Sequence, residues 1–134
     1  MVWTSDNQNG GFSQGHPWLP VAREHLHLSV DAQERAPDAL LHHYRRAIAF
    51  RHEHRALMQG DLHDMRTDGD VLSFHRDAAG ETLFCAFNLS HEPATLTLPE
   101  GNWVAVGQDL NSSGPGEDGK VHLGPWQPCL VVKR

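Results

Sequence analysis

A chain of 134 residues, 39% hydrophobic and 21% charged, is long enough for one domain, or for one small domain with an appendage, and apolar enough to bury a core. Its 11 Lys and Arg against 17 Asp and Glu leave a net charge of −6, and the single basic cluster (Arg45, Arg46, Arg51, Arg55) reads as the wet face of a helix, which argues against phosphate-led nucleic-acid binding. No apolar run approaches the ~20 residues of a membrane span and no signal-peptide pattern opens the chain, so no membrane partner and a cytoplasmic location are expected.

Residues 1–35 carry Gly10, Gly11, Gly15, Pro17 and Pro20 as punctuation and almost no periodicity, so they read as loop. A structureless segment of that length is uncommon inside a compact domain and is usually functional or supported from outside. Its aromatics are Trp3, Phe12 and Trp18. Their faces suit the C–H faces of sugars, and Asp6, Asn7, Gln8 and Asn9 offer partners for hydroxyls. Burial against a neighbouring surface is the favoured role of Trp3 and Trp18, because large aromatics dominate burial energetics.

Pro37 suits the first turn of a helix, having no N–H to waste. Leu40, Leu41, Tyr44, Ala47 and Ile48 recur at three- and four-residue spacing, which makes one apolar stripe opposite His42, Arg45, Arg46 and Glu53. The spacing predicts a helix over 37–58 that stops before Gly60.

Beyond Gly60 the period falls to two. Segments 61–66, 71–76, 82–89, 94–98, 103–107, 120–123 and 129–133 read as short strands, divided by turn signals such as Asp68-Gly69 and Ala79-Gly80. The fold class is therefore mainly β, an antiparallel β-sandwich preceded by a loop and one long α-helix. Cys85 and Cys129 both lie in apolar strand-like runs and read as buried free thiols.

Chemistry-bearing patterns are few. The histidines of the predicted helix, His42, His43, His52 and His54, contain no pair at i and i+4, and His52-Glu53-His54 brings its second His two residues too early for a zinc-protease helix. His25 and His27 lack an evident third ligand. No metal and no cofactor are expected. Asp61, Asp64, Asp68 and Asp70 cluster in a strand–turn–strand region that reads as exposed, where acidic groups serve solubility and turn hydrogen bonds. No nucleophile elbow and no phosphate-cradling glycine loop is present, and no residue of this chain is assigned a catalytic role.

Three runs, Met1-Val2-Trp3, Asn9-Gly10-Gly11-Phe12-Ser13 and Pro17-Trp18-Leu19-Pro20-Val21, together with Gln33 and the helix positions Leu41, Tyr44, Arg45, Ile48, Arg51, Ala56, Leu57 and Gly60, resemble the α-glucosidases of glycoside hydrolase family 13, the α-amylase family. The resemblance is specific over about the first sixty residues; beyond them it is one of character, with a late Pro125-Trp126 and a short apolar last strand. It departs at Ala36, where the family often has Asp before the proline, which removes an N-cap worth about 1 kcal/mol.

The resemblance implies that residues 1–58 are the last βα loop and eighth helix of a (β/α)8 barrel and that 59–134 are the family's C-terminal antiparallel β-sandwich domain. Loops after barrel strands sit at the face where barrel active sites lie, which makes Trp3, Asp6, Asn9 and Phe12 candidates for a substrate rim. The family's nucleophile Asp, acid/base Glu and transition-state-stabilising Asp lie earlier in the barrel, outside this chain. The implied whole is a retaining enzyme hydrolysing terminal α-linked glucose from oligosaccharides, with this chain structural and non-catalytic. Its implied partners are the N-terminal barrel of the same protein, an α-glucoside in the intact enzyme, and a second copy of the chain through the helix stripe. In the chain alone, that stripe is expected to be covered by the β-module or by the second copy. The rival readings are a stand-alone carbohydrate-binding β-sandwich with Trp103 or Trp126 as sugar platform, and a relative of the trehalose-synthase type, which shares the Asn-Gly-Gly-Phe-Ser run.

Overall fold

A computed structural model describes residues 1–134, which form two compact units, Met1–Arg46 and Ala47–Arg134. The segment read as loop is more ordered than its composition implies. It holds a 3₁₀ helix, Arg23–Leu28, and a short helix α1, Val30–Glu34. Helix α2, Leu40–Glu53, follows.

The helix expected over 37–58 is in fact two. It begins three residues beyond Pro37, and it breaks at His54, whose backbone is extended (φ −106°, ψ 110°), before α3, Arg55–Gln59. The break has a cause far away in sequence. The Glu81 carboxylate accepts the Ala56 N–H at 2.8 Å and lies 2.7 Å from His54 Nδ1, so α3 starts afresh on a cap supplied by a strand.

All seven expected strands are present: β1 Asp61–Asp68, β2 Val71–Ala78, β3 Glu81–Asn88, β4 Ala94–Thr97, β5 Trp103–Ala105, β6 Lys120–Leu123 and β7 Pro128–Lys133. They build a five-stranded antiparallel sheet in the order β1-β2-β3-β7-β5 and a two-stranded sheet, β4-β6. The hairpin turns fall where the glycines predict: Asp68 pairs with Val71 across Gly69 (φ 55°), and Ala78 pairs with Glu81 across Gly80 (φ 83°).

The large sheet buries both faces. One packs Phe84, Ala86, Trp103, Cys129 and Val131 against Val121 and Leu123 of the small sheet; the other packs Leu83, Cys85 and Leu130 under Ala56, Leu57 and Phe50. Burial on both sides explains why β3 reads as a nearly continuous apolar run, whereas β6 alternates exposed and buried. Cys85 and Cys129 point into opposite clusters and are free thiols.

Leu40, Tyr44 and Ile48 of the apolar stripe are 64%, 60% and 53% exposed in the single chain. Trp103 is no sugar platform: it is buried, and its indole N–H donates to the Pro99 carbonyl at 2.8 Å. Trp126, two-thirds exposed, is the other aromatic named for that role.

Candidate functional site

Within the first unit, residues 1–15 are shaped by their own asparagines. Asn7 Oδ1 accepts the N–H groups of Asn9 (3.0 Å) and Gly11 (3.1 Å), and Asn9 Nδ2 donates to the carbonyls of Ser13 (3.0 Å) and Gly15 (2.7 Å). These side chains replace backbone partners that irregular chain lacks. Gly10 (φ 58°) closes the turn and accepts from Trp3 N–H at 2.8 Å. A Cβ at Gly10 would sit 2.7 Å from Val2 Cγ1, so only glycine fits.

The loop is tied to α1 by its backbone. The Val30 N–H donates to the Val2 carbonyl (3.0 Å) and the Asp31 N–H to that of Trp3 (3.1 Å), like one rung of a ladder. Val2 is buried there, so the in-chain pin is Val2 and not a tryptophan. Asp31 collects the Oγ–H of Ser29 and that of Ser5 (3.1 Å), and the hydrogen bond from buried Ser29 leads in lowering its carboxyl to about 2.

What remains on the surface is aromatic. Trp3, Phe12 and Trp18 are 48%, 54% and 96% exposed. Asp6 and Asn9 line one concavity of 520 Å³ together with His16 and Arg23. Phe12 lines a second, of 590 Å³, with Trp18, Leu19 and His25. Trp3 lies outside both. Asp6 and Asn9 thus line one concavity and Phe12 joins Trp18 in the other, His16, Pro17, Pro20 and Val21 line both, and the Asn9 amide is already spent on loop carbonyls. Trp18 is the most exposed of the aromatics and sits in Pro-Trp-Leu-Pro, where flanking prolines leave no regular structure to bury it.

Asp6 is the only carboxylate lining either concavity. Glycoside hydrolysis needs two, held across one bond. The arrangement offers apolar faces and single polar groups, of the kind that contact a surface or a sugar rim.

In chain order the protein runs from loop and helices into a small antiparallel β-domain. Residues 1–60 match the family model of the α-amylase catalytic domain, and residues 61–129 match a domain of unknown function (DUF3459). The chain belongs to the α-amylase family, glycoside hydrolase family 13, on its C-terminal side. Among its relatives, a probable α-glucosidase of Rhizobium meliloti (strain 1021) is 46% identical over 99 residues, 74% of this chain and 18% of the relative. The trehalose-6-phosphate hydrolase of Escherichia coli (strain K12) is 29% identical over 137 residues, all of this chain and 23% of the relative. The crystal structure of an α-glucosyl transfer enzyme, XgtA, superposes with a TM-score of 0.86 at 34% identity, covering 100% of this chain and 25% of the enzyme. The chain therefore spans about a fifth of the length of the curated relatives it matches.

Proposed function

We propose that this chain is the C-terminal part of a retaining α-glucosidase that hydrolyses terminal α-linked glucose from oligosaccharides, and that it is itself structural. In this reading residues 1–58 complete a (β/α)8 barrel and 59–134 brace it. The observation that carries the reading is the match of residues 1–60 to the α-amylase catalytic domain, on a segment whose aromatics are exposed in the chain alone. Exposed apolar surface of that kind is what a barrel removed from its last loop and helix would leave. The relatives named as glucosidases and hydrolases support the reaction class, and the shared length supports a barrel partner preceding Met1.

The two carboxylates of the retaining mechanism would come from that barrel, as nucleophile and as acid/base. Trp3 and Phe12 would face it or its substrate, and Asp6 would stand at the rim. Assay of the 134-residue chain on a chromogenic α-glucoside tests the division of labour. No glucose release is expected; turnover abolished by Asp6→Asn would sink the proposal. In the chain joined to its barrel, the products separate hydrolysis from glucosyl transfer, since the two differ in whether water or a sugar takes the glucosyl group. A stand-alone sugar-binding module would instead bind maltooligosaccharide through Trp126 and lose it in Trp126→Ala.

A further inference from the structure

The outer hairpin of the large sheet gathers three donor atoms that no helical or short-range spacing foretells. His63 on β1 and His75 on β2 are directly opposed, and their rings stack with centroids 5.3 Å apart and planes 6° from parallel. The register is unexpected. Counting outward from the Asp68–Val71 closure would set Asp64 against His75; instead, between His63 and Arg66 two residues of β1 oppose one of β2. In this bulge Asp64 takes a left-handed backbone (φ 51°). Strict alternation would send Asp64 to the face opposite His63. The bulge turns its carboxylate back onto the histidine face, which is what bulges do to a side chain, and Asp is among the few non-glycine residues that tolerate the conformation.

The resulting geometry is compact. Asp64 Oδ2 lies 3.1 Å from His63 Nδ1 and 3.8 Å from His75 Nδ1, and one ligand atom from each of the three residues lies within 4.8 Å of the other two. Donors around a tetrahedral zinc ion at ~2.05 Å stand roughly 3.3 Å apart, so small side-chain rotations would close the set. Two further details point the same way. His63 Nε2 is hydrogen-bonded to Asp77 Oδ2, which turns Nδ1 inward, the carboxylate–histidine arrangement that orients metal ligands. His75 Nδ1 is buried and has no hydrogen-bond partner, while its ring is wedged by Phe84 and Trp103 at centroid distances of 5.1 and 6.0 Å. A buried nitrogen aimed at a carboxylate beyond hydrogen-bond reach is an unmet interaction. Arg66 approaches the other carboxylate oxygen, Oδ1, at 3.9 Å and leaves Oδ2 to the site.

We propose that His63 Nδ1, His75 Nδ1 and Asp64 Oδ2 bind a divalent transition metal of the zinc type, with water completing the coordination. Two imidazoles and one carboxylate select zinc, cobalt or nickel over the oxygen-seeking calcium and magnesium. The ion would replace the proton that His63 shares with Asp64. His63 and Asp64 are exposed, so entry is open. Bound there, the metal staples the edge strand β1 to β2 across its bulge.

Titration of the metal-free 134-residue chain with zinc chloride, followed by calorimetry and thermal melting, tests the site. One zinc should bind in the micromolar range and raise the melting temperature. His63→Gln and Asp64→Asn should each weaken that binding at least about tenfold, and Asp77→Asn, acting through His63, by about tenfold. His91→Gln, on an exposed loop elsewhere, should leave it unchanged. Because His75→Gln could unfold a packed region, its role is read from a zinc-dependent shift of the His75 imidazole resonances in the unaltered chain. Zinc binding that persists in His63→Gln and Asp64→Asn, millimolar binding only, or His75 resonances that ignore zinc would each overturn the proposal.

Discussion

Arg76 on β2 and Glu81 on β3, on either side of the same hairpin turn, hold opposite ends of helix α3. Glu81 caps the N-terminus at Ala56 N–H, and Arg76 donates from Nε to the Ala56 carbonyl (3.2 Å) and from Nη2 to those of Leu57 (3.3 Å) and Gly60 (2.8 Å). An anion at the N-terminus and a cation at the C-terminus both oppose the helix dipole favourably. A five-residue helix has little stability of its own, so the sheet supplies what α3 lacks.

Glu81→Gln is therefore expected to cost about 1 kcal/mol and Glu81→Ala about 1–2 kcal/mol, measured by urea unfolding. Burial alone would raise the Glu81 carboxyl, but the hydrogen bonds from Ala56 and His54 outweigh it and hold the group below its ordinary value of 4.5. A depressed carboxyl stabilises the fold fully above that ordinary value and less as pH falls below it. The gap between the wild-type chain and Glu81→Gln should accordingly close on acidification; a gap constant from neutral pH to pH 2 would contradict this account.

Asp31 is the acid-resistant group of the first unit. With its carboxyl at about 2 against 3.8 for an unperturbed Asp, its contribution is complete above about pH 4 and disappears between there and pH 2. Asp31→Asn should flatten the pH dependence of that unit's hydrogen-exchange protection inside this window and leave it unaltered from pH 5 to 7. Ser29→Ala, which deletes the largest cause of the shift, should move the titration upward, as a carboxyl carbon resonance would register.

Where local chemistry decided the outcome, the chain could be read in advance. Gly69 and Gly80 sit in hairpin turns that need positive φ, and β6 alternates over Val121 and Leu123, so strands and turns were legible. The motifs of the first sixty residues likewise carried the family. What escaped were effects of distant partners. The break at His54 is made by a carboxylate 27 residues away, and the His63–His75 pairing depends on a bulge that shifts the register by one. In the rim loop, the local folding made by the Asn7 and Asn9 side chains, which bond to backbone groups of residues 9–15, has no periodic signature in the sequence.

The open stripe of α2 yields a comparison between this chain and a longer one. Tyr44 and Ile48 are more than half exposed, and surface substitutions of that kind usually change stability by less than about 0.5 kcal/mol. Ile48→Asp should be near-neutral in the 134-residue chain. Joined to a barrel that covers the stripe, the same change should cost roughly 2–3 kcal/mol, the worth of one buried aliphatic side chain. Equal urea midpoints for Ile48→Asp and its parent in the longer protein would show that no barrel packs on this face.

The two thiols give a probe of the sandwich itself. Cys85 faces Ala56, Leu83 and Leu130, and Cys129 faces the opposite side of the sheet with Trp103 and Val121. A disulfide would require the two side chains to meet through the sheet, so both stay reduced as a matter of geometry. Burial pushes each thiol up to about 12, with the charge of Cys129 adding to the effect on Cys85. At pH 8 the thiolate fraction is then roughly one in ten thousand, against about one in ten for an ordinary thiol near 9. Modification by a thiol reagent should thus be at least about a hundredfold slower in the folded chain than in urea, and Leu83→Ala, costing about 2–5 kcal/mol beside Cys85, should speed it in proportion to the stability lost. Rapid labelling of one thiol in the fully folded chain would mean that its face of the sheet opens without global unfolding.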